Sequence, residues 1–149
     1  MITICILFAI LIRASQKKDL FWVLAWPGTV VHETLHYVVG FFLGARPVEI
    51  SVVPKSAESS TVGYVNFATL NWFNALPTAM APLLALPIAG WLVGQVSLEW
   101  SLTGLLWIWI VSSIMAQSWP SVTDFAVGTS NRIGLVFWAI VVFLLIKMH

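Results

Sequence analysis

Charge is scarce in this chain. Only 9% of its 149 residues are Asp, Glu, Lys or Arg, against roughly 25% in an ordinary soluble domain. The deficit excludes a disordered chain, which needs the opposite composition. It also excludes a soluble globule. Hydrophobic residues make up 60% and mean hydropathy is +0.95, more apolar surface than a body this small hides from water. A net charge of +1 leaves no basic footprint for nucleic acid. The single cysteine, Cys5, rules out an internal disulfide. No repeat or low-complexity tract divides the chain, so residues 1–149 read as one domain. Aromatic residues, in contrast, are plentiful. Nine Trp and nine Phe suit belts at a membrane interface.

Five apolar stretches follow one another. The first, Met1 to Ile12, has nothing basic before it and no small-residue cleavage pattern after it, so it reads as a short membrane helix and not a signal peptide. The second, Leu20 to Leu43, is long enough to cross a bilayer with tilt, at about 1.5 Å per residue. Pro27-Gly28 predicts a kink or a broken first turn in it, and Gly44 its end. Val48–Val53 and Val62–Phe67 flank a Ser/Thr cluster at Ser56–Thr61 and read as a β-hairpin. Ala75 to Val96 carries Pro77, Pro82 and Pro87, so an irregular helix is expected there. Ser101 to Gln117 ends at Trp119-Pro120; Ser121 to Arg132 is a polar turn with one helical turn; Ile133 to Ile146 is the last span. The expected fold is an α-helical polytopic membrane protein with about five membrane spans and a short β-hairpin between the second and third. It would be integral and multi-pass in a cell membrane, and the Arg13, Lys17, Lys18 cluster places its loop on the cytoplasmic side.

The second span contains His32-Glu33-Thr34-Leu35-His36, an HExxH sequence. Residues four apart share a helix face, so both imidazoles can reach one ion, and Glu33 stands beside them to take a proton. Shuffling the composition yields this pattern in roughly one sequence per thousand, so the match is informative. Three ionisable side chains within five mid-span positions cost several kcal/mol, and such groups pair, bind metal or do chemistry. The bland alternative is polar glue, His32 and Glu33 hydrogen-bonding a neighbouring helix.

A catalytic zinc has three protein ligands and an open position. Asp19 is thirteen residues before His32 on the same helix, and Glu99 and His149 fall on the opposite side of the membrane from the hairpin. Glu49 and Glu58 lie in the exposed hairpin, and Cys5 is an outsider within the first span. Asp124 lies in a turn on the side toward which the second span carries His36, and completes His32 and His36 as the candidate metal set. Ser121-Val-Thr-Asp124 also reads as a capping box, and the two roles can fall on different oxygens.

With His32, Glu33, His36 and Asp124 in this order, the chain resembles the site-2 protease class of intramembrane zinc metalloproteases. Gly40, Gly44, Ala45-Arg46-Pro47 and Ala81-Pro82-Leu83 add to the likeness, which covers about residues 20 to 130; Phe125 stands where the family has Gly after its Asp. The resemblance implies one Zn²⁺ per chain held by His32, His36 and Asp124, with Glu33 as general base. It implies hydrolysis of peptide bonds in membrane-embedded or membrane-proximal protein or peptide substrates. A substrate held as an added strand would meet the hairpin, with Val62 and Tyr64 as contacts. Asn71 and Asn74 are candidate donors to the oxyanion or the substrate backbone, with helix capping as their alternative. Two other classes stay open: a non-catalytic membrane scaffold of the same fold, and a small ion- or proton-handling protein.

Overall fold

The computed structural model describes residues 2–14, 18–53, 63–95 and 101–148. They are mostly helical. Helix α1 is Ile2–Ala14 and α2 is Lys18–Phe42. Strands β1, Pro47–Ser51, and β2, Tyr64–Phe67, form an antiparallel pair in which Ile50 faces Val65 and a bulge lies between Pro47 and Glu49. Helix α3, Ala75–Met80, leads through a 3₁₀ turn, Ala81–Leu84, into α4, Ala85–Gln95. Then come α5, Leu102–Gln117, α6, Val122–Thr129, and α7, Arg132–Lys147. The expected hairpin lies between the second and third apolar stretches, and the proline-rich stretch is irregular. The expected polar turn holds a helix of eight residues, α6, started by the Ser121 cap.

Helix α5 is the hub. It packs against α1, α2 and α4, while α3 packs on α6. What is buried is small. Among the described residues nine of the thirteen buried apolar ones are alanines, and one cluster gathers Cys5, Ala85, Ala89, Val111 and Ile114. Small side chains let helix backbones approach closely, so the large apolar residues are left facing outward. Closest of all is Gly28 on the Ser113 backbone, where any Cβ would collide with the Ser113 carbonyl.

Helix α2 continues through Pro27 without a break. Proline strains the ladder around it, and α5 supplies partners on both sides. The Gly28 N–H, whose partner in an undisturbed helix is Leu24 O, donates to Ser113 Oγ at 2.7 Å. Leu24 O accepts from Trp109 Nε1 at 2.9 Å. Helix α2 ends where expected: Gly44 takes a positive φ of 73° and Ala45 N–H closes on Gly40 O at 2.8 Å.

The count of spans differs from the expectation. Among the described residues one helical run, Ala75–Gln95, is long and apolar enough to cross a membrane, and a second if α5 and α6, bent by 42°, are one span. Helices α1 and α7 have 13 and 16 residues, and α2 has the length but spends its centre on His32, Glu33 and His36.

Candidate metal centre

Helix α2 carries the three HExxH side chains into the bundle. Glu33 and His36 are 6% and 5% exposed. The spacing of four residues sets the two imidazoles edge to face, with Nε2 of one 3.1 Å from Nε2 of the other. Their outer nitrogens are held by main chain from two other helices. His32 Nδ1 lies 2.7 Å from Gln117 O, and His36 Nδ1 lies 2.8 Å from Thr78 O. A carbonyl oxygen only accepts, so both Nδ1 atoms carry a hydrogen, and the rings are oriented with both Nε2 atoms inward.

Asp124 faces both Nε2 atoms. Its Oδ2 is 3.4 Å from His32 Nε2 and its Oδ1 is 3.2 Å from His36 Nε2. Asp124 is also the third residue of α6, and the capping box read from the sequence is present. Ser121 N–H donates to Asp124 Oδ2 at 2.6 Å, and Asp124 N–H donates to Ser121 Oγ at 3.1 Å. The cap holds the carboxylate through Oδ2, which also faces His32, while Oδ1 faces His36.

Among the described residues His32, His36 and Asp124 form the group that could hold a metal ion, with one ligand atom from each inside 4.8 Å. Ligand atoms about 2.05 Å from a tetrahedral zinc stand roughly 3.3 Å apart. The two Nε2 atoms are 3.1 Å apart, and each lies 3.4 or 3.2 Å from a different oxygen of Asp124; with one ligand atom taken from each residue, all three fall within 4.8 Å of one another. Two imidazole lone pairs and a carboxylate at these distances repel one another unless a cation or proton lies among them. The donor set of two imidazoles and a carboxylate therefore fits Zn²⁺, and each histidine has the carbonyl that orients a ligating imidazole.

Glu33 lies beside His32, His36 and Asp124. Its other neighbour is the hairpin. A Cβ built on Gly63 would stand 2.7 Å from Glu33 Cγ and 2.8 Å from Oε1, so the backbone just before β2 lies directly on the Glu33 side chain. At the far end of β2 the Phe67 ring lies against Gly40. The strand thus runs beside α2 in the same direction, starting at the motif.

The remaining candidates lie elsewhere. Asn74 is fully buried, and both hydrogens of its amide are engaged, with Thr69 O at 3.0 Å and Leu43 O at 3.4 Å. Its Oδ1 accepts from Asn71 N–H, and Asn71 Oδ1 accepts from the N–H groups of Phe73 and Asn74. This pair builds the turn after the hairpin. Asn74, with no donor left over, is corrected from substrate donor to scaffold. It is the N-cap of α3, but without a side-chain cap bond. Tyr64 OH donates to Glu49 on the neighbouring strand. Cys5 is packed among α4 and α5 side chains, outside the ligand group. Val62, Glu58, Glu99 and His149 lie outside the described residues.

Sequence reading missed Thr78 and Gln117, whose contribution is a carbonyl that any residue carries, and Gly63, which acts by lacking a side chain. Compared with known proteins, the chain matches no family model, no curated protein and no solved structure.

Proposed function

We propose that this chain is an integral-membrane zinc endopeptidase that hydrolyses peptide bonds within or next to the bilayer. One observation carries the proposal: two imidazoles held through Nδ1–H and a carboxylate converge, one ligand atom from each within 4.8 Å of the others, beside a buried glutamate. His32, His36 and Asp124 would hold the ion. When bound, zinc supplies Lewis acidity and a water acidic enough to deprotonate near neutral pH. Glu33 takes the proton from the attacking water and returns it to the leaving amine. Burial against Gly63 keeps bulk water from its carboxylate. A scissile peptide must be extended, because a helix hides its carbonyls. The hairpin offers extended backbone that begins at Glu33, in a position to hold such a peptide by strand pairing.

Membrane embedding is supported by what lies outside. Leu7, Leu11, Trp91, Leu105, Phe143 and Ile146, on α1, α4, α5 and α7, are at least half exposed. Large apolar side chains exposed on four helices need a cover, and a bundle cemented by alanines with its large side chains outward suits lipid. The five apolar stretches would then all lie in the bilayer, the shorter α1 and α7 within a locally thinned region.

The test is metal content of detergent-purified protein by inductively coupled plasma mass spectrometry, for wild type, His36→Ala and Asp124→Ala. It is joined to cleavage of a fluorogenic apolar peptide library by wild type and Glu33→Gln. About one zinc per chain, lost in both ligand variants, with cleavage lost in Glu33→Gln, is expected. No zinc in wild type after zinc is supplied would refute the site and leave His32 and Glu33 as polar glue. Zinc without cleavage, or with metal flux into liposomes instead, would refute the peptidase.

A further inference from the structure

We infer that Pro82 is a positioning residue for the metal centre: by lacking an N–H four residues after Thr78, it leaves the Thr78 carbonyl free to orient His36. This rests on the zinc-site proposal and extends it to the proline-rich stretch.

In an α-helix the carbonyl of residue 78 accepts from the N–H of residue 82. Proline at 82 has none. The chain responds by tightening. The Ala81 N–H bonds back to Thr78 O, and Ala81–Leu84 becomes a 3₁₀ turn between α3 and α4. A carbonyl has two lone pairs. Ala81 takes one, and the other accepts His36 Nδ1–H at 2.8 Å. Thr78 is 2% exposed and Pro82 is among the most buried side chains, so no water competes for that carbonyl. The bond from Nδ1–H to Thr78 O sets the ring so that Nε2 lies 3.2 Å from Asp124 Oδ1. The other histidine is held by the same kind of device without a proline. Gln117 O is the carbonyl whose helical donor would be Ser121 N–H, and that N–H is committed to Asp124 Oδ2. Both ligating imidazoles therefore hang from helix carbonyls whose own i+4 donor is missing or diverted.

Pro82→Ala restores an N–H at the right distance along the chain. The helix can then close over Thr78 O and withdraw it from His36. Lost second-shell partners typically weaken metal binding by about 10- to 100-fold. The experiment titrates the detergent-purified full chain with Co²⁺, read by its visible d–d absorption, alongside helix content by circular dichroism. Pro82→Ala is expected to bind Co²⁺ about 10- to 100-fold more weakly with helix content unchanged or higher, which a merely structural proline would not produce. Pro87→Ala, in α4, is the control and is expected to leave Co²⁺ affinity unchanged. The decisive variant is Pro82→lactic acid, introduced by nonsense suppression: it has the methyl side chain of alanine but an ester oxygen where the N–H would be. It is expected to bind Co²⁺ as wild type does. Equal affinity in wild type and Pro82→Ala, or weak binding by the lactic acid variant, would overturn the role of Pro82 while leaving the metal site standing. No Co²⁺ spectrum from wild type would instead remove the metal site itself, and the inference with it.

Discussion

Gly63 lies on Glu33 so closely that the α-hydrogen is all the space allows. The strand that begins one residue later is thereby locked to the centre of the HExxH helix. Gly63→Ala would place a methyl group 2.8 Å from Glu33 Oε1. The carboxylate is the movable partner and must swing aside. A displacement of that order at a catalytic base costs up to about 100-fold in turnover. The expected outcome is a 10- to 100-fold fall in cleavage, about the range such misplacement produces, with zinc stoichiometry unchanged. Parallel assays of turnover and metal content check it, and a coincident loss of zinc would show instead that Gly63 supports the ligands.

Gly28→Ala meets backbone, not a movable side chain. Its methyl group collides with the Ser113 carbonyl, so α2 and α5 must separate. Overpacking of this kind costs about 1–3 kcal/mol. Separation also pulls Gln117 O away from His32, because the two contacts lie on the same pair of helices. Thermal unfolding in detergent and zinc affinity are expected to fall together. A variant that loses stability with full affinity would show that the two contacts are independent.

The two duties of Asp124 can be separated. Asp124→Asn keeps an oxygen for the Ser121 N–H but removes the charge from the ligand set. Zinc affinity is expected to drop sharply while the fold survives. Ser121→Ala removes the hydroxyl that accepts from Asp124 N–H, at a typical cost of about 1 kcal/mol for a lost N-cap, and should weaken zinc binding far less. Isothermal titration on both variants distinguishes them. Equal losses would mean that the cap alone places the carboxylate.

Gln117 acts on His32 through its carbonyl, whereas its side chain donates to Thr29 Oγ1 at 3.1 Å. Gln117→Ala deletes only the second interaction. A stability loss of about 1 kcal/mol is expected for one hydrogen bond, with zinc affinity unchanged. Denaturation and metal titration of the same preparation measure both quantities. A large affinity loss would show that the side chain, not the carbonyl, governs the imidazole.

Much of the architecture was legible because it rests on composition and local chemistry. The apolar stretches became helices close to their expected limits, Gly44 stopped α2, and the Val-rich runs paired as a hairpin. The polar turn was read as shorter than it is. Ser121 caps a helix of eight residues whose continuation depends on packing against α3, which has no local signal. The number of membrane crossings was likewise beyond composition. Helix length fixes what can cross, and α1 and α7 stop short of a full span. Asn71 and Asn74 illustrate the same gap from the other side. As sequence they are two amides near a site; in the fold the whole Asn74 amide and the Asn71 Oδ1 are taken up by the turn that follows β2.

The sequence by itself determined the types of the candidate ligands and the pairing of two of them on one helix. HExxH puts two imidazoles on one face whatever surrounds it, and Ser121 caps Asp124 within four residues. Only the tertiary structure decided that these local units meet. The α5–α6 bend carries Asp124 back to α2, the break at Pro82 turns a carbonyl toward His36, and Gly63 brings the hairpin onto Glu33. The physical reason is range. Caps and helix faces are set by atoms a few residues apart, whereas a metal site joins residues some ninety positions apart, which close packing of small side chains alone can bring within 4 Å.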